Sequence, residues 1–345
     1  MESSLQNLAK GALMRSLLVS LVFFLPILSF AKEPPTVSVA VIGSGPGGLS
    51  AAFVTGRERI DTHLFLGEMP GGPVNAVTCL GNWPASVKGK GNVVMERLFE
   101  QVEKFSVHCH QEQIVSVDFA DWPFHLYTEE GKEYRALAVV LATGAIPRKL
   151  GVQGEEIYAN DVKTQVYLTN AHEFAGKRVA VVGGGLDAVK KATILAKEAE
   201  LVHLLVRKGS LQKPFMKRRI ETKGQGKVVV HYNTIVEALC GDGNHLAHLE
   251  LLEDGNKQTL EIDTLVLAAG IVPNTKLVQD ALEIDEQGFI VLEGRSQKTS
   301  VRGVFAAGNA TDPTYRQAAI SSGDGMKAGY DVIDFLTQIN VVHVE

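Results

Sequence analysis

Two glycine-rich segments have the residue types and the spacing needed to hold a pyrophosphate group. Each places small residues at its first, third and sixth positions: Gly43, Gly45 and Gly48 in the first segment, and Gly183, Gly185 and Ala188 in the second. The first glycine allows a tight turn, the second lets backbone N–H groups approach a phosphate, and the third small residue lets a helix pack against a strand. One such motif is a weak indication, but its recurrence about 140 residues later predicts two nucleotide-binding units.

The charge that follows each unit's second strand predicts which nucleotide it binds. Glu68 follows the apolar run 64–66 and can accept a hydrogen bond from a ribose hydroxyl, which is typical of FAD and NAD sites. Arg207 and Lys208 follow the run 204–206 and carry the positive charge that a 2′-phosphate requires. We therefore expect FAD or NAD in the first unit and NADP in the second.

The elements that must position these residues follow from hydrophobic periodicity. Apolar strands at 39–42 and 177–182 lead into the two motifs, and helical runs at 49–54 and 189–197 follow them. Further strands are predicted at 114–119, 124–128, 133–137, 138–144, 227–231, 235–239, 248–253, 260–262, 263–269 and 303–312. Further helices are predicted at 92–107 and 315–336, whereas 67–84 is too rich in Gly and Pro for regular structure.

The composition is typical of a soluble globular protein of about two domains. The 345 residues are 45% hydrophobic and 21% charged, which excludes disorder and coiled coil as the main structure. A net charge of −5 predicts no nucleic-acid partner, and we interpret the basic run 217–219 as a solvated helix face. Cys79, Cys109 and Cys240 form neither a Cys-x-x-Cys pair nor a disulfide framework.

Residues 16–30 are apolar, follow Lys10 and Arg15, and end at a small-x-small sequence, which is typical of a secretory signal peptide over 1–31. The alternatives are an uncleaved anchor or a mis-assigned start on a cytoplasmic protein. With a genuine leader the protein is exported, periplasmic or membrane-tethered, and otherwise it is cytoplasmic. A glycosylation sequon begins at Asn309, which the chain's resemblance to a flavoprotein family would place in the FAD pocket, and this favours a bacterial exported protein.

His108 and His110 would share one face of a strand, where two imidazoles could bind a metal ion. We find no other ligand cluster in the sequence to support this. We therefore predict no metal site and interpret both histidines as surface residues.

Seven motifs in order along the chain resemble those of low-molecular-weight thioredoxin reductases. They are 43–48 (GSGPGG), 82–84 (NWP), 142–145 (ATGA), 183–185 (GGG), 273–274 (PN), 304–308 (VFAAG) and 315–318 (YRQA). The resemblance implies an α/β protein of two Rossmann-like, three-layer ββα domains, with an NAD(P) domain at 149–273 inserted between FAD-domain parts at 36–148 and 274–345. It also implies a homodimer.

The resemblance assigns cofactor-binding residues. For FAD they are Gly43, Gly45, Gly48, Glu68, Asn82, Gly144, Gly308, Asn309, Arg316, Gln317 and Ala318, and for NADP they are Gly183, Gly185, Ala188, Arg207 and Lys208. The cofactors implied are FAD and NADPH, with NADH possible in its place. No protein side chain is assigned a catalytic role, because the flavin carries the chemistry.

The sequence departs from the family at the thiol pair. The family carries Cys-x-x-Cys just before the second glycine turn, but the corresponding segment, 162–172, contains no cysteine. In this it resembles the thioredoxin-reductase-type ferredoxin and flavodoxin reductases. Pro73, Asn309, Lys190 and Lys191 also replace family residues, and we interpret the two lysines as an exposed helix face.

Three hypotheses for function follow. In the first, the chain is an FAD-dependent NAD(P)H oxidoreductase that passes electrons directly to an unknown external acceptor, which is a small molecule or a redox protein. In the second, it is an FAD-binding pseudoenzyme or redox-sensing protein without turnover. In the third, Cys79 in the flavin-side loop reacts with a second protein's thiol.

Overall fold

The first sheet has two central strands, at 36–42 and 133–141, and both bury side chains on both faces of the sheet. The computed structural model describes residues 33–77, 80–86, 89–164 and 171–341. The seven strands of this sheet are β1 (Thr36–Ile42), β2 (Thr62–Phe65), β3 (His108–His110), β4 (Ile114–Asp118), β5 (Phe124–Thr128), β6 (Glu133–Leu141) and β17 (Val304–Ala306). They run in the order β3-β2-β1-β6-β5-β4, with β17 beside β6.

Strand β6 is one continuous strand, so the prediction of separate strands at 133–137 and 138–144 is wrong. Its N-terminal half pairs antiparallel with β5, and its C-terminal half pairs parallel with β17. Strand β1 runs parallel along its other edge. The change of partner along one edge explains why the sequence pattern changes from alternating to fully apolar.

Three helices cover one face of this sheet: α1 (Pro46–Arg57), α2 (Gly91–Glu103) and α5 (Ala318–Gln338). Val39 and Val41 of β1 face these helices, while Ala40 and Ile42 face the opposite core. This alternation is the expected result of strand geometry. Because both cores are apolar, β1 is fixed in register at the centre of the domain.

The second sheet repeats this arrangement with five strands in the order β11-β10-β9-β15-β8. Their bounds are β8 (Val162–Lys163), β9 (Arg178–Val182), β10 (Leu201–Leu205), β11 (Val228–His231) and β15 (Thr264–Leu267). Helices α3 (Leu186–Leu195) and α4 (Pro214–Lys223) pack on one face. The antiparallel sheet of β12 (Thr234–Gly241), β13 (Leu246–Glu253) and β14 (Asn256–Glu261) packs on the other, which gives three layers.

A two-stranded ribbon joins the two parts of the chain. Strand β7 (Ala145–Pro147) leaves the first sheet and pairs antiparallel with β16 (Ile271–Pro273), which returns to it. The five-stranded sheet therefore lies within the chain between β6 and β17. The described residues from Pro35 onward form one compact unit, and the exact bounds of the two domains stay a prediction.

Several predicted boundaries were wrong by a few residues. Helix α2 ends at Glu103 rather than at 107, and Ser106 beyond it has a φ of 56°. Helix α5 begins at Ala318 rather than at 315, because Arg316 has a φ of 48°. The loop 67–84 contains a short 3₁₀ helix at Gly72–Ala76.

The predicted signal peptide at 1–31 lies outside the described residues. Among the described helices, none is both long enough and apolar enough to cross a bilayer. Lys217 and Arg218 are exposed on α4, as predicted for the basic run 217–219, but Arg219 is half-buried and its Nε is buried.

Candidate functional site

The first glycine turn joins the end of β1 to the start of α1. Gly43 has a φ of 104°, and a side chain there would collide with the carbonyl oxygen of Ala142. A Cβ on Gly48 would overlap the carbonyl oxygen of Gly43. A Cβ on Gly45 would meet no atom within 4 Å. The N-terminal end of α1 therefore faces open space, as the binding of a phosphate requires.

Ser44 ties this turn to the loop that follows β2. Its hydroxyl donates to the carbonyl of Leu66 at 2.8 Å and accepts from the N–H of Gly71 at 3.2 Å. The same loop carries Glu68, whose side chain is exposed just beyond the end of β2. The buried serine therefore holds the predicted ribose-binding residue close to the glycine turn.

Asn82 and Gln317 are far apart in the sequence and meet at the start of α5. Asn82 Nδ2 donates to Gln317 Oε1 at 2.6 Å. Gln317 occupies the N-cap position of α5, and Ala318 is its first residue. Thus two residues assigned to FAD by resemblance are in direct contact.

The segment before α5 is held by Asp312. Its carboxylate accepts from the backbone N–H groups of Thr314, Tyr315 and Arg316 at 2.7, 2.9 and 2.7 Å. Burial acts to raise the pKa of Asp312, but these three donors outweigh it and hold the pKa below its usual value. The carboxylate thereby fixes Arg316 immediately before the helix.

Helix α5 crosses α1 close to the first glycine turn. The hydroxyl groups of Ser50 and Ser322 are 2.7 Å apart, and a Cβ on Gly325 would overlap the carbonyl oxygen of Gly47. The residues at the start of α5 are consequently brought beside those at the start of α1.

Gly308 and Asn309 form a 3₁₀ turn after β17, against α5. Gly308 has a φ of 74°, and Ser321 Oγ donates to Asn309 Oδ1 at 3.5 Å. One turn further along α5 lies Asp324, a carboxylate that the sequence analysis missed. Burial raises the pKa of Asp324, although Lys327 opposes this effect. No motif in the sequence pointed to this residue, because its burial depends on helix packing.

Gly144 lies where the chain leaves the first sheet. It has a φ of 70°, and a Cβ there would meet no atom within 4 Å. Thr143 Oγ1 donates to the carbonyl of Asn274 at 2.7 Å, and the N–H of Asn274 donates to the carbonyl of Gly144 at 3.0 Å. These bonds join the segment that leaves the first sheet, at 143–144, to the segment that returns to it, at Asn274.

The second glycine turn repeats the geometry of the first between β9 and α3. Gly183 has a φ of 146°, and a Cβ there would collide with the carbonyl oxygen of Ala268, which follows β15. Ala188 is fully buried beneath the turn. Gly185 is the N-cap of α3, and a Cβ on it would lie 3.5 Å from Gln212 Oε1. This turn is therefore bordered by an amide side chain.

The predicted phosphate-binding residues Arg207 and Lys208 are exposed beyond the end of β10. The carbonyl of Lys208 accepts from the N–H of Asn233 at 3.3 Å, which anchors the loop. Both side chains are thus available to solvent on the loop that follows the second strand of the second unit.

Lys191 differs from the expectation that it lies on an exposed helix face. Its side chain is 12% exposed and forms an ion pair with Asp187 at 2.8 Å. Its Nζ also donates to the carbonyls of Thr164 at 2.8 Å and Leu267 at 3.2 Å. Its neighbour Lys190 is exposed, as expected. The prediction failed for Lys191 because β8 and β15 approach α3 from distant parts of the sequence.

The expectation that no further ligand accompanies His108 and His110 is also wrong. His63 and Asp61, at the neighbouring strand, lie beside His108, and single ligand atoms of Asp61, His63 and His108 all fall within 4.8 Å of one another. The sequence pointed to His108 and His110 but not to Asp61 and His63, because β2 and β3 are separated by more than 40 residues.

Residues 37–325 match the pyridine nucleotide-disulphide oxidoreductase family. The chain belongs to this family. A thioredoxin reductase of Coxiella burnetii is 33% identical over 318 residues, which cover 90% of this chain and 99% of the relative. A glucosaminate ammonia-lyase of Pseudomonas fluorescens is 34% identical over 306 residues, covering 86% and 95%.

Two solved structures extend this similarity to the fold. A thioredoxin reductase of Giardia duodenalis is 31% identical with a TM-score of 0.58, covering 88% of this chain and 99% of the other. A Lactococcus lactis thioredoxin reductase superposes with a TM-score of 0.80 at 24% identity, with the same coverage. The α/β fold of two Rossmann-like domains is thereby confirmed.

The chain is an FAD- and NADPH-dependent oxidoreductase of the thioredoxin reductase type. Its two glycine turns fit the pyrophosphate groups of these cofactors. In the first turn Gly45 leaves the space before α1 open, and in the second a Cβ on Gly185 would have no neighbouring atom closer than 3.5 Å. Both turns therefore leave their helix N-termini accessible to an anion.

Proposed function

We propose that this oxidoreductase delivers electrons from NADPH, through FAD, directly to an external acceptor without a thiol pair of its own. The observation that carries the proposal is the sequence of segment 162–172, which has no cysteine where the resembled family carries Cys-x-x-Cys. Dithiol exchange proceeds by attack of a thiolate on a disulfide. The chain therefore cannot reduce thioredoxin by the family's usual route.

The described cysteines support this proposal. Cys109 lies on β3 and Cys240 on β12, in different sheets, and both are free. Burial raises the pKa of both thiols, with Glu103 adding to the effect at Cys109 and Glu250 at Cys240. Such thiols are protonated at neutral pH and are poor nucleophiles. Cys79 lies outside the described residues.

The residues that would hold the cofactors are those assigned from the sequence. For FAD they are Gly43, Gly45, Gly48, Glu68, Asn82, Gly144, Gly308, Asn309, Arg316, Gln317 and Ala318, and for NADPH they are Gly183, Gly185, Ala188, Arg207 and Lys208. When bound, the nicotinamide supplies a hydride and the flavin accepts it and passes electrons onward. The chain's own residues bind and orient the two cofactors, since backbone N–H groups at the two helix ends can bind the pyrophosphates.

The experiment is anaerobic rapid mixing of the purified, FAD-loaded protein with NADPH and, separately, with NADH. We expect NADPH to bleach the flavin absorbance within the mixing experiment, and NADH to do so more slowly because Arg207 and Lys208 favour a 2′-phosphate. If neither nucleotide bleaches bound flavin, the chain is an FAD-binding protein without turnover, and the proposal fails.

The involvement of Cys79 is tested separately. In the proposal, Cys79→Ser oxidises NADPH at the wild-type rate with ferricyanide or a quinone as acceptor. A loss of this activity with FAD content unchanged would instead support a reaction at Cys79.

We also propose that the chain is a homodimer, as the resemblance implies. Exposed apolar side chains on α5, at Ile320, Met326 and Tyr330, support this, because surface apolar groups often mark interfaces. Light scattering after size-exclusion chromatography should give twice the 37.2 kDa of the full chain, less any cleaved leader. A monomeric mass at micromolar concentration would contradict it.

For localisation we propose export directed by residues 1–31. The apolar run 16–30 and the small-x-small sequence after it support cleavage near residue 31. Expression with the leader in a bacterium, fractionation and N-terminal sequencing test this. A cytoplasmic protein that retains its first residues would overturn it.

A further inference from the structure

Three histidines and an aspartate gather at one edge of the first sheet, on and beside strands β2 and β3. Strands β2 and β3 are parallel there, with His63 opposite His108 and Phe65 opposite His110. Residues two apart on a strand share a face, so His63, His108 and His110 project to the same side of the sheet. Asp61 stands just before β2 and completes the group.

The distances within this group suit shared coordination. Asp61 Oδ1 lies 3.3 Å from His63 Nε2 and 3.8 Å from His108 Nε2. Ligand atoms of a tetrahedral ion with bonds of about 2.0–2.1 Å are about 3.3 Å apart. The ligand atoms of His63 and His108 lie within 4.8 Å of each other. Coordination therefore requires His108, whose side chain is 60% exposed, to move toward His63 and Asp61.

His110 orients His63 from behind. His110 Nε2 and His63 Nδ1 are 2.8 Å apart, and the two rings stack with centroids 4.8 Å apart. If the proton of this bond is on His63 Nδ1, His63 Nε2 is left with a free lone pair facing Asp61 and His108. A metal-binding histidine usually donates its other ring N–H to a second polar group, and this hydrogen bond fixes the tautomer.

His63 is the least exposed of the three ligands. Its side chain is 15% exposed, whereas those of Asp61 and His108 are 45% and 60% exposed. Cys109 lies between the two histidines in sequence, and strand alternation directs it to the opposite face.

We propose that Asp61, His63 and His108 form a binding site for a divalent transition-metal ion, with Zn²⁺ as the ion of best fit and His110 as the residue that orients His63. Two imidazole nitrogens and one carboxylate oxygen match the preference of Zn²⁺ and exclude Mg²⁺ and Ca²⁺, which prefer oxygen ligands. Water would complete the coordination on the exposed side.

The site lies at the start of β2, whereas the first glycine turn bonds to the end of that strand through the carbonyl of Phe65. The proposal therefore goes beyond electron transfer and does not depend on it. Its expected role is to fasten the edge strand β3 to β2, since the ligands come from both strands.

The test is calorimetric titration of ZnCl₂ into the full, FAD-loaded, tag-free protein after EDTA treatment and dialysis. We expect one Zn²⁺ per chain. His108→Ala should weaken binding at least about tenfold, and His110→Ala, which removes only the orienting group, by about 10- to 100-fold. The control is His245→Ala, because His245 is an 82% exposed histidine beside Asp161, with 3.7 Å between its Nδ1 and the carboxylate.

Thermal melting supplies a second readout that separates loss of the site from loss of folding. Zn²⁺, but not Mg²⁺, should raise the melting temperature of the wild type and of His245→Ala, because a ligand of the folded state stabilises it. Zn²⁺ should not change the melting temperature of His108→Ala. Without metal, His108→Ala should melt near the temperature of the metal-free wild type. Absence of Zn²⁺ binding to the wild type, or equal binding by His108→Ala, would overturn the proposal.

Discussion

Gly43 and Asp312 show how single residues shape the first glycine turn and the segment before α5, where we propose that FAD binds. Gly43 combines a positive φ with close contact to the backbone of Ala142, so both conformation and space require glycine there. Asp312 instead fixes backbone by accepting three N–H groups ahead of α5. Each residue acts on the backbone of the proposed FAD site, and each gives a prediction at this scale.

Gly43→Ala should lower the free energy of unfolding by more than about 2 kcal/mol and abolish retention of FAD. Backbone strain at a positive φ costs roughly 1–3 kcal/mol, and the collision with Ala142 adds to it. Gly131→Ala is the matched control, because Gly131 has a φ of 79° but open space around it. Urea unfolding and flavin content measure both. Equal losses in the two variants would show that the collision has no effect.

Asp312→Asn should lower the free energy of unfolding by about 1 kcal/mol at neutral pH, because hydrogen bonds to a charged acceptor are stronger than those to an amide. The folded-state pKa of Asp312 lies below its unfolded value. Its contribution is therefore complete above the unfolded pKa of about 3.9 and is lost as pH falls through the lower folded pKa. Urea midpoints from pH 7 downward test this, and a difference that disappears near pH 6 would contradict it.

At the scale of elements, the crossing of α1 and α5 brings the two halves of the proposed FAD site together. The helices approach so closely that Gly325 lies against the backbone of Gly47, and Gly329 lies against Val54. Helix α3 plays a comparable part in the second unit, where Lys191 joins it to β15 and to Thr164 after β8. Both contacts join segments that are distant in the sequence.

Gly325→Ala and Gly323→Ala form a matched pair on α5. Alanine favours a helix over glycine by up to about 1 kcal/mol at either position, but only at Gly325 would the Cβ overlap the carbonyl of Gly47. We expect Gly323→Ala to keep or raise stability, and Gly325→Ala to lower both stability and FAD retention. Thermal melting and flavin content are the measurements. Stabilisation by both substitutions would mean that the helices do not cross as closely as described.

Lys191→Met and its neighbour Lys190→Met test the second contact. Removing the buried amine leaves two carbonyls and Asp187 without their donor, so Lys191→Met should lower the free energy of unfolding by about 1.5–3 kcal/mol. Lys190 is exposed, and its substitution should change stability by less than about 0.5 kcal/mol. Urea unfolding compares them, and similar effects would contradict the role assigned to Lys191.

At the scale of the whole molecule, the sequence predicted those turns and elements that depend only on the local sequence pattern. Both glycine turns and most strands followed from residue type and period, whereas the two-domain fold class was implied by the family resemblance. The burial of Lys191 and Asp324 and the approach of His63 to His108 did not, because each depends on packing between distant segments. The contact of Asn82 with Gln317 was indicated only by a family resemblance, which assigned both residues to one cofactor.

Family membership fixes the cofactors but leaves the acceptor open. The relatives include proteins named as thioredoxin reductases and one named as an ammonia-lyase, at almost the same identity. The same two-domain fold thus accompanies different named activities, and the activity must be inferred from the site. In this chain the decisive feature of the site is the segment 162–172 without cysteine.

The most direct test of the central claim is steady-state NADPH oxidation by a variant in which Cys79, Cys109 and Cys240 are all replaced by serine. With ferricyanide as acceptor, the account predicts a turnover rate within about twofold of the wild type at equal FAD content, because cofactors rather than thiols carry the electrons. Neither protein should reduce thioredoxin. A cysteine-free variant that binds FAD but no longer turns over would contradict the account.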